Sequence, residues 1–126
     1  MLAYVMLGSN NPEKAYQFYD PLLETAGIKS VFANPNGTKF YSGGRGQPMF
    51  AIGAPADGAD AGVGNGTMVA IPFEETDQID AFYAKALELG ASDEGAPGWR
   101  MPGVFYGAYF RDPDGNKICA CKMNMG

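Results

Sequence analysis

An α+β fold built from two β-α-β-β-β modules in tandem is what this sequence predicts, on three observations. Apolar positions recur at an offset of 64 residues, with Tyr4 on Met68, Ala15 on Ile79, Phe18-Tyr19 on Phe82-Tyr83 and Leu23 on Leu87. Each half carries one stretch with the 3.6-residue period of an amphipathic helix, set among short runs of strand character. The chain then closes on a fully specified hairpin turn, Arg111-Asp112-Pro113-Asp114-Gly115-Asn116-Lys117.

The elements follow in order. A first strand is expected over Ala3 to Leu7. Asn11 as N-cap, Pro12 at N1 and Glu13 in the first turn then open a helix. Ala15, Phe18, Tyr19, Leu22 and Leu23 fall on its i, i+3, i+4, i+7, i+8 stripe, and Ala26-Gly27 ends it. The stripe reads as core packing against a sheet. Three strand-like runs follow, Ser30 to Ala33, Thr38 to Ser42 and Pro48 to Gly53. The Gly/Ala/Asp-rich stretch from about 55 to 65 has no period and links the modules, the first covering about 1–54 and the second about 66–126 of a single domain. The second module repeats the scheme, with a strand over Thr67 to Phe73 and a helix capped by Thr76. That helix carries the stripe Ile79, Phe82, Tyr83, Ala86 and Leu87, and Leu89-Gly90 ends it. A short run near Ala91 to Glu94 comes next, then strands over Phe105 to Arg111 and Lys117 to Lys122. Pro97-Gly98 and Pro102-Gly103 bracket Trp99-Arg100-Met101 as a loop of the kind that lines a site.

Composition removes several classes of function. At 126 residues, 46% hydrophobic and 18% charged, the chain has the composition of a globular domain, with no apolar run of the ~20 residues a membrane span needs. Met1-Leu2-Ala3-Tyr4-Val5 reads as a strand rather than a leader, which points to the cytoplasm. Nine basic against 14 acidic residues, net −5, exclude nucleic acid and anionic membranes as expected partners. Cys119 and Cys121 lie two apart in a strand, too constrained for a mutual disulfide, and read as reduced thiols of a buried face. There is no histidine, so neither cysteine has an imidazole to activate it.

The opening strand, the Phe18-Tyr19 pair, the strand entry Gly66-Thr67-Met68-Val69-Ala70 and the closing Phe110-Arg111-Asp112-Pro113-Asp114-Gly115-Asn116-Lys117 together resemble the glyoxalase/bleomycin-resistance/dioxygenase (vicinal oxygen chelate) superfamily. The resemblance implies paired βαβββ modules enclosing a cavity, commonly in a homodimer. It also implies a divalent metal held by first-strand and last-strand residues, which here fall on Tyr4, Phe50, Met68 and Cys119. Zinc and iron sites rest on imidazole and carboxylate, and hard cations need several oxygens. This set therefore predicts no metal and no cofactor, and places metal-assisted isomerisation or ring cleavage in doubt.

Three functions compete. The first is a small-molecule binder whose apolar cavity, lined by Tyr4, Phe50, Met68, Tyr109 and Cys119 with Trp99, Arg100 or Tyr106 at its mouth, takes an apolar or aromatic ligand. The second is a metal-free, glyoxalase-like lyase or dioxygenase-type enzyme of atypical site, using Tyr4 or Tyr109 as acid and an exposed carboxylate as base. The third is a filled-pocket structural protein that acts through its dimer surface.

Overall fold

The computed structural model describes residues 1–124, so the expected end of the second module at about 126 lies outside them. Ten elements follow one another: β1 (Tyr4–Gly8), α1 (Pro12–Glu24), β2 (Lys29–Ala33), β3 (Lys39–Ser42), β4 (Met49–Gly53), β5 (Val69–Pro72), α2 (Thr76–Glu88), β6 (Ser92–Met101), β7 (Phe105–Arg111) and β8 (Lys117–Met123). They form two compact units that divide between Gly64 and Asn65, each a βαβββ module. The strand orders are β1-β4-β3-β2 and β5-β8-β7-β6, so the same topology occurs twice. In each sheet the first strand pairs parallel with the last, and every other pairing is antiparallel.

The helices form where the stripes place them. Asn11 caps α1, its side chain accepting the Lys14 N–H at 3.2 Å. Ala15, Phe18, Tyr19, Leu22 and Leu23 are all buried against the first sheet. Pro21 lies inside this helix and removes one backbone donor. The last turn survives because Leu22 and Leu23, directly after the proline, are fully buried, and burying such a side chain contributes about 1.5–3 kcal/mol. In α2 the cap is Glu75 rather than Thr76, which is the first helical residue. Gln78 Oε1 accepts the Glu75 backbone N–H at 3.0 Å, the reciprocal bond of a capping box. Ile79, Phe82 and Ala86 are buried, whereas Tyr83 and Leu87 at the stripe's border are only half-buried.

β6 corrects the sequence reading. The expected loop around Trp99-Arg100-Met101 is strand, paired with β7 from Ser92↔Arg111 to Met101↔Phe105. Its register shifts three times, between Asp93 and Gly95, Gly95 and Gly98, and Trp99 and Met101. β6 is an edge strand, so Pro97 can lack its N–H without breaking a ladder on the far side. The bulges absorb the glycines and the proline that hide the two-residue period.

Candidate functional site

Strand alternation gives each sheet one face against its helix and one open face. In the first unit, Phe50 and Tyr41 pair across β4 and β3, and Phe50 packs on Tyr19 of α1 with ring centroids 4.9 Å apart. Phe50 therefore lies in the helix-side core. Its neighbour Tyr41 donates its hydroxyl to Asp20 at 2.6 Å, and Lys39 reaches the same carboxylate at 2.8 Å. Burial first, and then the Asp20 hydrogen bond, push the Tyr41 pKa well above the ordinary tyrosine value. Tyr4 points to the other side. Half exposed at 50%, it meets Phe40 edge-on at 5.0 Å, and Phe40 stacks on Phe32 at 4.5 Å, forming an aromatic row with Met6 beside it.

The second unit divides its candidates in the same way. Trp99 is cross-strand from Tyr106, with centroids 5.3 Å apart, and Tyr106 donates its hydroxyl to Asp80 of α2 at 2.5 Å. Both belong to the helix side, where Asp80 first and burial second raise the Tyr106 pKa. The open face carries Met68 and Ala70, both exposed, then Cys119 and Cys121, and Tyr109 directly opposite Cys119 across β7 and β8. Arg100 reaches the same face, its guanidinium carbon 5.3 Å from the Tyr109 ring centre. Lys117, two residues before Cys119, brings its amine to 5.5 Å from that ring.

Five of the eight sequence-predicted site residues thus stand on open faces, with Met68, Arg100, Tyr109 and Cys119 together in the second unit and Tyr4 in the first. Phe50, Trp99 and Tyr106 stand on helix sides. Which face a residue takes depends on the parity of its strand, and in β6 that parity is reset by bulges that composition does not reveal. Lys117 was missed as a site residue, although its two-residue spacing from Cys119 is the signal that finds it.

The electrostatics of this face limit its chemistry. Burial first, then the neighbouring Cys121, push the Cys119 thiol up from 9.0 to about 12. Burial also raises Tyr109, with Cys119 adding to the shift and Arg100 opposing it. A thiol held protonated is a poor nucleophile. Among the described residues no three His, Cys, Asp or Glu side chains gather as a metal site. At the positions where the resemblance implies a metal, Phe50 has no donor atom and faces a helix, Met68 offers only a thioether, and Tyr4 and Cys119 leave one phenol and one thiol. The residues present do not fit the metal.

Comparison with known proteins agrees with this architecture. Residues 1–120 match the Glyoxalase/Bleomycin resistance protein/Dioxygenase superfamily. A glyoxalase/bleomycin resistance protein from Albidiferax ferrireducens T118 is 40% identical, with a TM-score of 0.87 over 97% of this chain and 98% of its own. A superfamily member from Sphaerobacter thermophilus DSM 20745 is 24% identical, with a TM-score of 0.69 over 97% and 96% of the two chains. A lactoylglutathione lyase from Agrobacterium tumefaciens, at 21% identity and TM-score 0.71 over 97% and 92%, shares the fold. No curated protein sequence matches the chain. With the match spanning nearly the whole sequence and two modules of the same topology, the chain belongs to the glyoxalase/bleomycin resistance protein/dioxygenase superfamily.

Proposed function

We propose that this protein binds a small, largely apolar or aromatic molecule without metal-dependent chemistry, on the open face of its second sheet. The observation that carries the reading is the grouping of Met68, 44% exposed, with half-buried Tyr109 over the buried thiols of Cys119 and Cys121. Apolar walls with a few placed polar groups suit such a ligand. Catalysis by this face would need a base or an activated nucleophile. Its thiol and its phenol are both shifted toward the protonated form, which leaves binding as the chemistry these groups support.

Mapping aromatic fragments by NMR on methionine methyl and backbone amide signals tests the reading. Shifts should concentrate at Met68, Tyr109 and Cys119, and Tyr109→Ala should abolish them while moving the melting temperature little. Shifts confined to the helix-side residues Phe50, Trp99 and Tyr106, or a Tyr109→Ala protein that binds as before, would reject this face as the site.

A further inference from the structure

The Arg100 guanidinium packs closely against two glycines of its own strand. A methyl group on Gly95 would come to 3.1 Å from its Nη2, and one on Gly98 to 3.4 Å from its Nη1. Nη2 donates to the Ala96 carbonyl at 2.5 Å, and the guanidinium lies over the Tyr109 ring. Lys117 brings a second positive charge to the same ring. Three other basic side chains have acids: Lys39 has Asp20, Lys85 has Glu88 and Arg111 has Glu94. Among the described residues, neither Arg100 nor Lys117 forms an ion pair with a carboxylate. Two cations without a carboxylate partner therefore meet at the one Tyr109 ring.

Magnitudes indicate what this arrangement lacks. A cation over an exposed tyrosine is worth about 0.5–1 kcal/mol, whereas a hydrogen bond to a charged group contributes about 1.5–3 kcal/mol. The guanidinium has five N–H donors in a planar fork, and the Ala96 carbonyl and the Tyr109 hydroxyl occupy only part of it. An anion reaching this fork would also relieve the repulsion between the two cations. On the same face, across β8 from Tyr109, lie the apolar surfaces of Met68 and Ala70, both exposed.

We propose that the ligand is an aromatic carboxylate, its ring against Tyr109, Met68 and Ala70, its carboxylate on the Arg100 fork and Lys117 the second cation. This rests on the reading of the open face as a small-molecule site and adds the class of ligand. Calorimetric titration of the full chain with 2-naphthoate, its neutral amide 2-naphthamide, and acetate tests it, in wild type and in Arg100→Met. The naphthoate should bind at least about tenfold tighter than the amide, as one charged hydrogen bond implies. Arg100→Met, checked for an unchanged melting temperature, should remove most of that preference and leave the amide's affinity alone. Equal binding of acid and amide to wild type, or a preference that survives in Arg100→Met, overturns the carboxylate assignment while leaving the apolar site standing. Acetate competing as well as naphthoate would instead reject the apolar site, and failure of both naphthyl compounds to saturate at millimolar concentration would overturn both.

Discussion

At the scale of single residues, the same side chain acquires different chemistry from where its strand puts it. Cys119 has no exposed surface, and its thiol is raised from 9.0 to about 12 by loss of water and by Cys121 beside it. In the unfolded chain that thiol ionises near its ordinary value, so the native state binds the proton more tightly. The stability this supplies is complete below about pH 9 and is lost as pH rises toward 12. Tyr41 and Tyr109 shift in the same direction, so the Cys119 contribution must be isolated by substitution. Urea denaturation between pH 8 and about pH 11 should therefore show wild type losing stability more steeply than Cys119→Ala. Parallel losses in the two proteins would place the titration elsewhere.

At the scale of elements, the turn between β7 and β8 shows what the sequence states outright. Asp112 is buried, and its Oδ1 accepts the backbone N–H groups of Asp114 and Asn116, each at 2.9 Å, while Oδ2 accepts from the Asn116 side chain at 3.0 Å. Gly115 takes φ +91°, the left-handed value that reverses the chain. Asp112→Ala strands at least two buried donors, each costing about 1–3 kcal/mol, so a loss of about 2–6 kcal/mol is expected by chemical denaturation. A loss below about 1 kcal/mol would show that water replaces the carboxylate. This turn and both helical stripes were legible because their signals are local: a cap, a period, a glycine. β6 was not, since Pro97, Gly95 and Gly98 erase its alternation and only the pairing with β7 restores it. The faces of Phe50, Trp99 and Tyr106 were hidden for a related reason. A one-residue change of register moves a side chain to the opposite face, and register is fixed by partner strands distant in sequence.

At the scale of the whole molecule, the repeat places equivalent strands in both units but not the donors that a metal would need. The paired strands β1 and β4 offer Tyr4 and Phe50 at the positions the resemblance marks, and β8 of the second unit offers Cys119, with Met68 just before β5. One phenol, one thioether, one thiol and one hydrocarbon ring do not make a hard-cation or zinc site. The chain has no histidine to supply the imidazole that zinc and iron sites favour. Elemental analysis of protein purified without chelator should therefore find well under one equivalent of zinc, iron, nickel or manganese. Thermal unfolding gives an independent measure, because a metal at a hundred times its dissociation constant stabilises a fold by about 2.7 kcal/mol. For a chain of this size that is a shift of several degrees, readily seen when EDTA is added. An unchanged melting temperature with and without EDTA is expected. A drop of several degrees, restored by one equivalent of a divalent metal and removed by Cys119→Ala, would mean that Cys119 ionises to bind it, and the apolar reading of the open face would give way to a thiolate centre.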